Sequence, residues 1–375
     1  MKRKVLIIYT GGTIGMEKDY NTGSLKPFDF DLIFDKLPEI KLLDCDTYIH
    51  SFSPPLDSSD IGPEKWRAIA EVIEANYEKY DGFLILHGTD TMAYTSSALS
   101  FMLKGLRKPV ILTGSQLPIG DLRTDAKENL LTSLYYASLY KENEAVIQEV
   151  ALYFEHQLLR GNRSIKYSSE NFDAFQSPNY PILGKSGVFL NIKESYLFRP
   201  QQDEKFSVDY HLSTSVHLCR IFPGMNLEYL LKIDAVKVLI IQVFGSGTIF
   251  GDAKTLEILQ KIRSKNIDIV VISQCPSGGV SLGKYENSNV FSKINAISGG
   301  DITIESALTK AIHLIDNGRC TSKRLISEIN RSDSLYGAQS VVIDNLKYIC
   351  MLDSVHRLTS FIVVNHYNSL TLGSK

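Results

Sequence analysis

The run KVLIIYTGGTIGM, residues 4–16, sets a dense aliphatic stretch directly before three closely spaced glycines. KVLIIY, 4–9, is rich in β-branched residues and leucine, as a strand buried on both faces must be. The glycines then turn the chain at its carboxyl end. The same signature recurs in DTYIHSF (46–52), GFLILHG (82–88) and PVILTGS (109–115). Between these runs lie helix-period segments: PEKWRAIAEVIEANYEKY (63–80), TMAYTSSALSFMLKGL (91–106) and TDAKENLLTSLYYASLY (124–140). In the first of them Pro63 suits an initial helical turn, and Trp66, Ile69, Val72, Ile73 and Tyr77 share one face. Strand and helix alternating over short loops predict an α/β fold with a doubly wound, mostly parallel sheet.

The rhythm breaks across 165–215, which is polar, carries prolines and glycines and has no clear period. It resumes with strands at 236–247 and 267–275 and helices at 253–265 and 303–318. The chain therefore divides into a larger N-terminal α/β domain over 1–200, a linker over 201–215 and a smaller C-terminal α/β domain over 216–340. A tail over 341–375 has no evident role.

Composition narrows the function. With 375 residues, 44% of them hydrophobic, the chain is long enough for two cores. A net charge of −2 and the lack of a Lys/Arg run argue against nucleic acid as a partner. No apolar run reaches the ~20 residues that span a bilayer, and VLIIY is too short for a secretory signal. The expected location is cytoplasmic, with no membrane partner. The five cysteines are scattered without a CxxC, and the eight histidines show no HExxH, so neither a disulfide framework nor a metal site is predicted.

Ligands of open α/β sheets bind beyond the carboxyl ends of the strands. That rule nominates the loops YTGGTIG, SPPLDSSD, HGTDT and TGSQLP. Glycine serves a turn, but a purely structural turn has no need of so many Thr, Ser and Asp residues. The first loop fails the dinucleotide pattern, because Thr10 stands where its first glycine belongs, and fails the P-loop because Met16 follows Gly15. That leaves Thr13 to be explained. Thr89 and Asp90 sit at a strand end just before a helix, where capping is the plain explanation and anion binding by free N–H groups the functional one. Lys166, in RGNRSIKY (160–167), is a surface charge if solvated, and a base if buried beside Thr89 and Asp90.

Taken together, YTGGTIGM, PLDSSD, DGFLILHGTDTMAYTSSALSFML, KPVILTGSQLP and RGNRSIK resemble, in that order, the bacterial type I cytoplasmic L-asparaginases. The resemblance runs from residue 4 to about 340. It implies hydrolysis of L-asparagine to L-aspartate and ammonia, with no metal or organic cofactor, in a homodimer or homotetramer. It implies Thr13 as nucleophile, a catalytic group of Thr89, Asp90 and Lys166, and a substrate-binding set of Asp57, Ser58 and Ser59 with Thr89 and Asp90. The chemistry is coherent: a zwitterionic amino acid needs a carboxylate for its ammonium and donors for its carboxylate. A threonine hydroxyl attacks an amide only when a neighbour takes its proton.

Three places depart from that family. Relatives carry a lid tyrosine in a GYIP-like pattern; here NTGSLKPF, 21–28, has Ser24 and Leu25, leaving Tyr20 as the candidate substitute. In FGSGTIFG (244–251) Thr248 stands where relatives often have asparagine. Ile165 replaces the threonine that precedes the lysine in relatives with an effector site, so allosteric control is not carried over. The competing functions are a glutaminase or glutaminase-asparaginase, an asparaginase-like tRNA amidotransferase subunit, and a non-catalytic nucleotide-binding α/β module.

Overall fold

The computed structural model describes residues 2–18, 22, 25–27, 33–283 and 286–315. Tyr20, Ser24 and the tail from 341 lie outside the described residues. The chain enters on β1 (Arg3–Gly11), followed by β2 (Cys45–Leu56), α1 (Pro63–Asn76), β3 (Gly82–Leu86), α2 (Met92–Met102), β4 (Val110–Thr113) and α3 (Ala126–Ala137). Next come β5 (Val150–Phe154), β6 (Gln157–Arg160), β7 (Gly184–Lys185) and β8 (Asn191–Ile192). These strands form one eight-stranded sheet in the order β8-β7-β6-β5-β4-β3-β1-β2. The pairings from β2 to β5 are parallel, and β6, β7 and β8 extend the sheet antiparallel.

Both faces of that sheet are covered, which is why β1 is aliphatic throughout. Leu6 and Ile8 pack with Trp66, Ile69 and Ile73 of α1, while Val5, Ile7 and Tyr9 pack with Leu130 and Leu134 of α3. Each fully buried aliphatic side chain contributes roughly 1.5–3 kcal/mol, so the two-sided strand is the anchor of the sheet. Helix α2 is buried on nearly every side although it is rich in serine. Its hydroxyls are satisfied: Ser100 Oγ donates to Ser96 O at 2.7 Å, and Ser96 Oγ donates to Gly161 O at 2.8 Å.

A second sheet follows, built from β9 (Val216–Arg220), β10 (Val238–Val243), β11 (Asp268–Ser273) and β12 (Ile297–Ser298), all parallel, with α4 (Ala253–Ser264) and α5 (Ile304–Leu314). Two core clusters flank it as well. The α/β class and the large, mostly parallel sheet with a smaller C-terminal one accord with the sequence reading. The expected helix over 91–106 stops at Met102. Leu103–Lys104 instead pairs with Ser207–Val208, and Gly105 takes φ +58°. Phe206 stacks on Tyr77 with ring centroids 3.6 Å apart. The connecting segment is thus clipped to the N-terminal body by backbone pairing that no local pattern announces.

Candidate active site

Strand order reverses between β1 and β3: the chain leaves β1 for β2 on one side, then crosses to β3 on the other. Loops at such a switch point diverge and leave a crevice. The loops after β1 and β3 meet there through glycine. Gly12 takes φ +89°, and a Cβ on it would lie 2.6 Å from Gly88 N and 2.7 Å from Gly88 Cα. A Cβ on Gly88 would lie 2.6 Å from Ser58 Cβ. The backbones at Gly12 and Gly88 therefore touch directly, and the Ser58 side chain packs on the Gly88 backbone. Gly12→Ala has to accept a left-handed alanine and open this contact, at about 2–4 kcal/mol together. The expected result is a lower urea midpoint and a displaced Thr13. A variant as stable and active as the parent would show that the loops have slack.

Thr13 opens a short 3-10 turn, Thr13–Gly15, at this junction. Its hydroxyl is half-buried and has no hydrogen-bond partner among the described residues. Across the contact, Lys166 Nζ donates to Thr89 Oγ1 at 2.8 Å and to Asp90 Oδ1 at 2.5 Å. Lys166 reaches them from Ile165–Lys166, a two-residue strand paired with Phe175–Gln176. Its side chain is 16% exposed, against 70% for Asp90. The Asp90 carboxylate thus keeps an open oxygen facing solvent while its other oxygen holds the lysine.

Thr89 Oγ1 is also 3.3 Å from Gln116 Oε1, which fixes the direction of its own proton toward Gln116. Gln116 is held in turn: its backbone N–H donates to Asp125 Oδ2 at 2.9 Å and its Nε2 to Asn171 O at 3.0 Å. Sequence reading quoted this loop but named no residue in it. Only the pairing with Thr89 across 27 positions singles out Gln116.

The PLDSSD residues divide. Ser58 is buried against Gly88, and its carbonyl accepts Thr91 Oγ1–H at 2.7 Å. Asp57 and Ser59 are exposed and bound to each other: Asp57 Oδ1 accepts both the Ser59 N–H and its hydroxyl at 2.9 Å. Those two bonds hold the Asp57 carboxyl below its ordinary value.

Beneath the crevice lies His87, fully buried. Burial drives its pKa down to about 4, so it is neutral at physiological pH. A cleft of about 800 Å³ lies at the opposite, amino-terminal end of the strands, lined by Arg3, Tyr77, Asp81, Arg107 and Lys108. It contains no Ser or Thr. Of its cations, Arg107 is held by the Gln201 and Gln202 carbonyls and Lys108 by the Tyr80 carbonyl. No helix among the described residues is long and apolar enough to cross a membrane.

Residues 4–196 match the family model "Asparaginase, N-terminal", and residues 215–325 match "Glutaminase/Asparaginase C-terminal domain". L-asparaginase 1 of Escherichia coli K12 is 39% identical over 317 residues, covering 84% of this chain and 92% of that protein. The crystal structure of L-asparaginase I from Vibrio cholerae aligns with TM-score 0.79 and 36% identity, over 88% of this chain and 97% of that one. The thermostable L-asparaginase from Thermococcus kodakarensis aligns with TM-score 0.77 and 31% identity, over 87% and 96%.

Proposed function

The chain belongs to the asparaginase family, and on that premise we propose that it hydrolyses L-asparagine to L-aspartate and ammonia with Thr13 as nucleophile. The observation that carries the reading is Lys166 Nζ at 2.8 Å from Thr89 Oγ1 and 2.5 Å from Asp90 Oδ1, at the loop junction that also holds Thr13. In this reading the open oxygen of Asp90 takes the substrate ammonium, and Ser58 with nearby backbone N–H groups takes its carboxylate. Asp57 and Ser59 shape the loop that carries Ser58 through their mutual hydrogen bonds.

Thr13 Oγ1 attacks the side-chain amide carbon. The C–O bond forms as the C–N bond breaks, and the hydroxyl proton leaves with the amide nitrogen as ammonia. Water then attacks the ester carbon, its proton passes by way of Thr89 and Lys166, and Thr13 regains its hydrogen as aspartate departs. The Thr89 N–H, which meets no acceptor among the described residues, stabilises the developing oxyanion. The substrate is a small amino-acid amide, and the active form is a cytoplasmic homodimer or homotetramer.

The test is ammonia release by the purified chain over a concentration series of asparagine and of glutamine. One added methylene is discriminated by roughly 10–200-fold in a fitted pocket, so kcat/KM for asparagine is expected to exceed that for glutamine by at least about 10-fold. Equal values would make it a glutaminase-asparaginase. No ammonia from either substrate, with a nucleotide raising the melting temperature, would replace the enzyme by a binding module.

A further inference from the structure

A chain of buried hydrogen bonds ends on the peptide between Gly88 and Thr89. His87 Nδ1 lies 2.7 Å from Gly88 O. A carbonyl only accepts, so Nδ1 carries the proton. The ring is neutral, so Nε2 has none and must accept. It does so from the Thr95 hydroxyl at 2.8 Å. Thr95 Oγ1 accepts in turn from the indole Nε1–H of Trp66 at 3.2 Å. His87 and Thr95 are fully buried and Trp66 is 5% exposed. Every donor and acceptor along the line Trp66, Thr95, His87, Gly88 is thereby assigned, with no freedom to reverse.

We propose that His87 is a positioning residue: its Nδ1–H pins the Gly88 carbonyl inward and so aims the Thr89 N–H and hydroxyl at the substrate amide. The argument is geometric. The Gly88–Thr89 peptide is trans, so its N–H points opposite to its C=O. Holding the carbonyl against the buried ring turns the N–H away from it. Glycine at 88 supplies no side chain to resist rotation of this peptide, and its flexibility is what the histidine removes. Gly12 and the Ser58 side chain pack against Gly88, but His87 Nδ1–H is the group that bonds its carbonyl. Burial of the ring keeps it neutral down to about pH 4, so the donor and acceptor pattern does not change in the range where the protein works. No charged group contributes to that shift: burial lowers the pKa, and the bond to the Gly88 carbonyl opposes it only in part.

This inference rests on the catalytic role assigned to Thr89. Its test compares His87→Asn, His87→Gln and His87→Leu. The asparagine amide nitrogen falls near the position of Nδ1 and keeps a donor to Gly88 O. The glutamine amide falls near Nε2 and does not. Misaiming one oxyanion donor is expected to lower kcat of His87→Leu and His87→Gln on the order of 100-fold, with KM for asparagine changed less than about 3-fold. His87→Asn is expected to recover at least about 10-fold of that loss.

Equal kcat per folded site in all three variants and the parent, whatever their melting temperatures, would overturn the assignment. So would equal impairment of His87→Asn and His87→Leu. Should the variants fail to fold, 15N chemical shifts of His87 in the unaltered protein decide: an Nδ1-protonated neutral ring across pH 5–8 is expected, and an Nε2-protonated one refutes the proposal. Thr89→Val separates the two readings. If it turns over normally, the role of Thr89 falls. If it is inactive while His87→Leu has unimpaired kcat, only the role of His87 falls.

Discussion

Thr13→Ala is expected to lower kcat for asparagine on the order of 10⁴-fold, with the urea midpoint unchanged within about 0.5 kcal/mol. The stability half follows from the surroundings. The Thr13 hydroxyl has no hydrogen-bond partner among the described residues, so its removal breaks no internal bond. The catalytic half follows from the loop itself: among its described residues 10–16, Thr10 carries the one other aliphatic hydroxyl. Thr10 is fully buried and its Oγ1 donates to Leu86 O at 2.8 Å, which takes it out of the reaction.

Lys166→Met is expected to cost on the order of 10³-fold, within the usual range for losing a proton-transfer group. A chain carrying both changes should fall no further than Thr13→Ala alone, because without an ester on Thr13 the Thr89–Lys166 relay has no attacking water to deprotonate. Multiplying losses would mean that the two groups act in independent steps, and that water attacks asparagine directly. Hydroxylamine provides the companion check: a covalent ester on Thr13 partitions to aspartyl hydroxamate, and a direct displacement does not.

The second large effect is on stability. Arg163→Met should destabilise the chain by about 3–5 kcal/mol, because it strands a buried carboxylate. Arg163 and Asp301 form a two-pronged pair, NH1 to Oδ1 at 3.0 Å and NH2 to Oδ2 at 2.5 Å. Their side chains are 2% and 6% exposed. Asn179 reinforces the same joint, donating to Asp301 O at 2.9 Å and accepting from Gly278 N–H at 2.8 Å. One partner belongs to the large-sheet half and the other to the loop before α5, so the pair fastens the two halves together.

The cost comes from desolvation. Each charge has lost its water, and although Arg163 NH2 also donates to Asn179 O at 2.9 Å, its opposite charge here is Asp301, so removing one leaves the other uncompensated in a low dielectric. Replacing both, as Arg163→Met with Asp301→Leu, is expected to recover most of the loss, since an apolar pair needs no hydration. Denaturant unfolding of the three variants reads this out. A single variant within about 1 kcal/mol of the parent would show that water reaches the joint.

What was legible in the residues has a common cause: it was local. The aliphatic run at 4–9 identifies a two-sided strand because both faces of β1 must be apolar. The clustering of Thr, Ser, Asp and Gly at successive strand ends marks the crevice because that is where loops converge. Thr89 and Asp90 were nominated this way, and Lys166 through its place in a motif. What only the tertiary structure decided depends on partners far apart in the chain. The bond from Lys166 to Thr89 spans 77 positions, and the Arg163–Asp301 pair spans 138.

The antiparallel extension through β7 and β8 shares this origin. Those strands are two residues long and are held by register with their neighbours, not by propensity. His87 and Gln116 lay inside quoted motifs and still passed unnamed. A buried histidine and a loop glutamine look ordinary until the acceptors around them are known. Composition and periodicity determine which segments bury and where polar loops gather. The proton on one ring nitrogen and the charge beside one amine are set by neighbours that only folding brings within hydrogen-bonding distance.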